Sequence, residues 1–374
     1  MSYQEYISKI KSIQDALLSY IDEENQDDEL YHRLIELKIH EDNDNFKAFL
    51  YLISKISNTH YRSHEFYNKI DKLLHNFKNE ILKNYSNPAI FDIFSSNKRI
   101  ILFLIQSNII NIDEYILSQL QIKNYLPYFS PEIKKLGKTA EKEDETNESF
   151  EDFENKRLTG ENDSYLCKLI REDSLEEFVK FINKTNLSLK GQIQPSIFET
   201  NTILNEKSPT LIEYAAFFGS IQIFIYLMNK VDLEISLCPY AIHGRNAEII
   251  NFFEENTIDT ENKYIKCFEE AIRCHHKEIA DYFENKLTDF PENDKNRLGL
   301  IYYNYDYIDK LDILDSYHCD NVVIFEKIVK TENTDLNKLM IHKKIKHLIK
   351  LFIYAFQWSF LHFQFYDDIY NLYI

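Results

Sequence analysis

Cysteine and histidine are the residue types here whose spacing would reveal chemistry most directly, and one segment gathers both. Cys267 and Cys274 stand seven residues apart, on one helical stripe, and His275 and His276 follow at once. Thiolates and imidazoles so placed would suit zinc. A tetrahedral centre, however, draws three or four ligands together through short C-x-x-C or H-x-x-x-H spacings, and neither occurs around these residues. No metal site is expected. The chain also lacks H-E-x-x-H, G-x-S-x-G and G-x-x-x-x-G-K, so no metalloprotease helix, nucleophile elbow or phosphate loop is expected. With 61 acidic residues, paired carboxylates arise everywhere, and their spacing singles out no acid–base pair. The expectation is a protein that is not an enzyme, with no catalytic residue, no cofactor and no small-molecule substrate.

Composition narrows the classes further. Six glycines in 374 residues, against an average usage near ~7%, leave little material for the tight turns of nucleotide-binding folds. A net charge of −18, from 43 basic and 61 acidic residues, disfavours nucleic acid and anionic membranes as partners, because each phosphate contact needs a local cation. Five irregularly spaced cysteines (Cys167, Cys238, Cys267, Cys274 and Cys319) read as reduced thiols of a cytoplasmic protein, the nucleus being the alternative compartment. Residues 1–24 form an amphipathic polar stretch and not a signal peptide. The sequon at Asn183–Thr185 is therefore given no weight.

The elements that would carry any site are helical. Tyr6, Ile10, Ile13, Leu17, Leu18 and Ile21 fall three or four apart, and residues 46–56 and 66–82 repeat the pattern. After Asn87-Pro88 come AIFDIFSS and NKRIILFLIQSN, a further helical pair. Nothing alternates as a strand would, so the fold class expected is all-α. Residues 139–163 hold ten acidic and three basic side chains with almost no aliphatics. They are expected to be a solvated acidic linker, or alternatively an acidic docking segment for a basic partner, dividing residues 1–138 from the rest.

A repeat follows. TLIEYAAFFGSIQIFIYL, from Thr210, reads as a short helix carrying Ala215 and Ala216, a turn at Gly219, and a second helix. The layout recurs at Ala241 and Ala271, and upstream with Leu169 in the first Ala position, at spacings of 46, 26 and 30. Each second helix opens on Glu176, Gln222, Glu248 or Glu278, then places Phe178, Phe224, Ile250 or Ala280, and then Phe181, Leu227, Phe253 or Phe283.

TLIEYAAFFGS resembles the T-P-L-H-x-A-A-x-x-G-H of the ankyrin repeat, and IFIYL its second helix. Over residues 85–290 the chain resembles a large trichomonad family of ankyrin-repeat proteins with an N-terminal helical domain of unknown function, through NKRIILFLI, NDSYLCKLIREDSLEEF, QPSIFETNT and PTLIEYAAFFGSIQIF. It departs from that pattern in placing Asp173, Arg245 and His275 at the turn glycine, and in not keeping the period of about 33 residues. NKRIILFLI reads as a weaker copy with Asn97 at that position, which makes residues 85–138 a candidate region of further ankyrin-like pairs.

The organisation expected is thus an N-terminal helical domain (1–138), the linker, a solenoid of ankyrin-like helix pairs (164–337, the last pair degenerate), and a helical tail (338–374). Within the tail, residues 351–366 carry no Asp, Glu, Lys or Arg, yet fall short of the roughly 20 residues of a membrane span. The resemblance implies a non-catalytic scaffold or adaptor that binds a protein on its concave face. The alternatives are a membrane-tethered adaptor using 351–366, or an enzyme with an unfamiliar site. In the ankyrin register the concave positions include Arg171, Phe217, Phe218, His243 and Arg273. Phe217 and Phe218 are either an interaction hot spot flanked by basic residues, or packed beneath the insert 190–209.

Overall fold

Stripes of apolar residues at three- and four-residue spacing fold into helices throughout a computed structural model, which describes residues 3–22, 27–137, 149–232, 235–257, 261–310 and 313–332. The chain is all-helical; among the described residues the one trace of β structure is an antiparallel bridge between Gln192 and Thr210. The tail expected over 338–374, with its apolar run 351–366, lies outside the described residues. No helix among the described residues is long and apolar enough to cross a membrane.

The N-terminal region comprises α1 (Tyr3–Asp22), α2 (Asp27–Glu36), α3 (Asn43–Thr59), α4 (Phe66–Asn76), α5 (Lys78–Asn84), α6 (Asn87–Phe94), α7 (Lys98–Gln106), α8 (Glu114–Ile122) and α9 (Ser130–Lys135). Every α1 stripe residue named from the sequence is buried except Leu18. The helix expected over 66–82 breaks at Phe77, whose ring enters an aromatic cluster with Phe46, Phe49 and Tyr31. Asn97 is not a left-handed turn residue: at φ −123° it caps α7, accepting from the amides of Arg99 and Ile100. The left-handed non-glycine residues of this region are Lys38, after α2, and Asn108 and Asn124, just beyond α7 and α8.

The acidic linker is corrected over its described part. Residues Phe150–Thr159 form α10, pinned to the N-terminal helices by the fully buried Arg157. Its guanidinium donates to Glu132 at 2.6 and 3.0 Å, to the Tyr128 carbonyl at 3.0 Å, and to Glu154. Arg99 adds a bond to the Leu158 carbonyl at 2.8 Å. A charge-rich composition signals solvation only when its charges stay in water, and here one cation is neutralised by carboxylates on α9 and α10.

Helix pairs follow: α11 (Tyr165–Arg171) with α12 (Leu175–Thr185), then, past α13 (Thr202–Glu206), α14 (Leu211–Phe217) with α15 (Ile221–Met228). Next come α16 (Cys238–His243) with α17 (Ala247–Asn256), and α18 (Glu261–Arg273) with α19 (Lys277–Glu284). The first helices pack in the order α11, α14, α16, α18, and then on α20 (Glu292–Tyr302). The second helices meet as α12 on α15 and α15 on α17. Of the repeat positions read as apolar, only Phe181 is not buried; its ring packs edge-on against Tyr165.

The last two helices, α21 (Ile313–His318) and α22 (Val322–Glu332), lie where a degenerate pair is expected and do not share the core of the stack. Leu300, Tyr303, Tyr305, Ile308 and residues of α22 belong to the N-terminal core instead, so the expected boundary between 1–138 and 164–337 is corrected at this end. Ion pairs fix the contact: Lys47–Glu326 at 2.5 Å, Asp44 with Lys330 at 2.6 Å and Lys327 at 3.3 Å, and Lys11–Asp306 at 2.6 Å. Gln14 on α1 accepts from the Tyr305 amide at 2.8 Å, and Tyr51 stacks on Tyr303. The chain thereby closes on itself.

Candidate functional site: the covered inner row of the helix-pair stack

The row is built from the turns inside each pair. Asp173, Gly219, Arg245 and His275 all adopt φ between 49° and 69°, as the register implied, and Tyr303 and Asp320 extend the series. The residue after five of these six turns donates its amide to the carbonyl five residues back: Ser174 to Leu169, Ser220 to Ala215, His276 to Ala271, Asn304 to Gly299 and Asn321 to Ser316. These are Schellman closures, and they end each first helix just where the second must start. Non-glycine residues here accept a left-handed backbone at a modest cost of about 1–2 kcal/mol each.

Turns are also tied to one another. Ser220 donates to the Ile170 carbonyl at 2.6 Å, Asn246 to Gly219 at 3.2 Å, Asn304 to Ile272 at 2.9 Å and Asn321 to Leu300 at 2.8 Å. Asp173 caps α15 from the neighbouring pair, accepting from the Gln222 and Ile223 amides at 3.0 Å each. Gly244 is demanded by proximity: a Cβ there would lie 2.1 Å from the Ala216 carbonyl oxygen of the adjoining pair.

Four of the five candidate residues gather around one spot. The Phe217 ring lies parallel to the His243 imidazole, centroids 3.9 Å apart, and Phe218 meets Phe217 at 5.0 Å. Arg171 reaches over Phe218 and is held by Glu161 at 2.7 Å, the Tyr214 hydroxyl at 2.8 Å and the Asn162 carbonyl at 2.8 Å. Arg273, one pair further on, contacts Glu270 and Thr202, both at 3.4 Å. The spot is not open. Tyr61 and Arg62 from beyond α3, and Glu199 and Asn201 from the insert, close it to about 10 Å³, roughly the space of one water. Phe217 and His243 are therefore buried, Phe217 beside residues of the insert 190–209 as the packing alternative has it, and His243 is covered where a partner-facing position was expected; Phe218, Arg171 and Arg273 remain half-buried.

No protein-family model, curated protein or solved structure matches this chain. The site's chemistry is accordingly read from its own geometry.

Residues that the sequence did not single out do the covering. His60 bonds the Cys274 carbonyl through Nδ1 at 2.7 Å and Asp22 through Nε2 at 2.9 Å, and Arg245 holds the other oxygen of Asp22 at 2.9 Å. Burial alone would raise the Asp22 carboxyl, but His60 and Arg245 hold it below the usual range. Glu199 accepts from the amides of Asn162 and Asn201, and burial pushes its carboxyl up. These contacts join positions 38 and 214 residues apart, and no local periodicity announces them.

Among the described residues no group of three or more His, Cys, Asp or Glu is placed to hold a metal ion. Cys274 donates to Glu270 at 3.4 Å and is a buried thiol, as are Cys167 and Cys319. Cys238 and Cys267, read from sequence as thiols, are paired across α16 and α18 with Cα atoms 5.9 Å apart, within disulfide reach.

Proposed function

We propose that this chain is a non-catalytic protein-binding scaffold of the ankyrin-repeat type, its helix pairs forming a short solenoid. The observation that carries the reading is the ladder of turn-to-turn bonds. It ties neighbouring turns together at every step but the α18–α19 turn through backbone and small polar side chains, and so leaves the outward residues free to suit a partner. The inner row supports it further, because polypeptide already lies there: residues 60–62 and 199–202 occupy the face as a bound segment would. The partner proposed is a protein met in the cytoplasm, at the rim where Phe218 and Arg171 stay accessible; the net charge of −18 disfavours nucleic acid.

Photo-crosslinking tests this in the native cell, with a benzophenone amino acid at Phe218 and, as control, at Leu82, exposed on α5. Capture of one discrete protein from position 218 and not from position 82 supports the reading. Equal capture from both, or none from 218, counts against it.

A further inference from the structure

One position breaks the ladder. Where other turns place Ser220, Asn246, Asn304 and Asn321, the α18–α19 turn has His276, which is 4% exposed and has no hydrogen bond at either ring nitrogen. Its ring meets the His60 ring edge to face at 4.9 Å. Both partners of His60, a carbonyl and a carboxylate oxygen, are acceptors. His275 and His243 are buried beside this pair, each with Nδ1 unpartnered. Four histidines thus line the seam between the end of α3 and the turns of the stack.

We infer that this seam is an acid-sensitive latch, releasing residues 57–62 from the stack when His276 and its buried neighbours take up protons. The surrounding charges cannot accommodate those protons. The cations facing them are Arg62 beyond α3, Arg245 after α16 and Arg273 on α18. The anions are already engaged: Asp22 by His60 and Arg245, Glu270 by Arg273, Asp306 by Lys11, Glu161 by Arg171, and Glu199, beside His243, by the Asn162 and Asn201 amides. The backbone of His243 favours a proton on His276, but less than burial and the charges of His60 and Arg245 oppose it. Burial first, then the charge of His60, holds His276 well below the usual imidazole value and His275 down to about 4; burial and nearby cations hold His243 well below it.

Folded-state values lie below unfolded ones, so the unfolded or released state binds more protons. The seam is intact above the unfolded value of about 6.5 and weakens as pH falls from there toward about 4. Release uncovers Phe217 and His243, and it occurs whether or not a second protein binds that row.

Amide hydrogen exchange of the purified full-length protein, corrected for intrinsic rates, tests the latch at about pH 7 and about pH 5. Protection in residues 57–62 and 272–277 should fall about tenfold or more at the lower pH, while the middle of α3 keeps its protection. His276→Asn supplies the side chain used by the other turns and should abolish most of that fall; His60→Gln, which removes the facing charge, serves if the first variant folds poorly. Unchanged wild-type protection, loss of protection everywhere at once, or a full wild-type fall in both variants would overturn the latch.

Discussion

The Phe217 ring and the His243 imidazole lie parallel at 3.9 Å, joining successive helix pairs of the stack beneath residues contributed by the insert and by the end of the N-terminal helices. Two adjacent phenylalanines consequently differ in environment. Phe217 is 3% exposed, whereas Phe218 is half-buried beneath the Arg171 guanidinium. Phe217→Ser should cost about 3–5 kcal/mol by chemical denaturation, and Phe218→Ser clearly less. Equal costs would mean that the row is not covered as described.

Close approach of neighbouring turns sets a second expectation. At Gly244 a methyl group meets the Ala216 carbonyl, while at Gly219 a methyl has room and only the positive φ opposes it. Gly219→Ala should therefore cost about 1 kcal/mol. Gly244→Ala should cost more, in the overpacking range of about 1–3 kcal/mol or beyond. The reverse order of melting temperatures would contradict the packing of one turn on the next.

Lys98 supplies a pH dependence. It is 8% exposed between the rings of Tyr125 and Tyr128, and burial lowers its ammonium to about 8. Its folded value lies below the unfolded one, so the unfolded state binds more protons between the two, and stability rises as pH climbs from about 8 toward about 10.5. Lys98→Met should then stabilise the protein at neutral pH by a few kcal/mol at most, with the gain fading over that window. A Lys98→Met variant less stable than wild type at neutral pH would mean that the two rings compensate the buried charge fully.

Much of this architecture was legible in the sequence, because it rests on local periodicity. The helix stripes follow from local spacing, and the small residues at Ala215, Ala241 and Ala271 and the left-handed residues Asp173, Arg245 and His275 follow from a short motif recurring every 26 to 46 residues. Asn97 misled because an amide that caps the next helix looks, by position, like a turn residue one place earlier; Asn246 caps α17 in the same way. Arg157 misled because composition does not record which single cation of a charged stretch will be buried. The covering of the inner row was illegible for a different reason. Asp22, His60, Arg245 and Cys274 meet only after the whole chain has closed, and none carries a local signal of that meeting.

After the stack the chain closes back onto the N-terminal helices. Zero-length carbodiimide crosslinking of the dilute purified protein, read by mass spectrometry, addresses it most directly, since it joins only amines and carboxylates already in contact. Closure predicts intramolecular crosslinks Lys47–Glu326, Lys330–Asp44 and Lys11–Asp306, whose charged groups stand at 2.5, 2.6 and 2.6 Å. Absence of all three from the monomer while Lys180–Glu176, a local pair at 2.7 Å, crosslinks readily would contradict it.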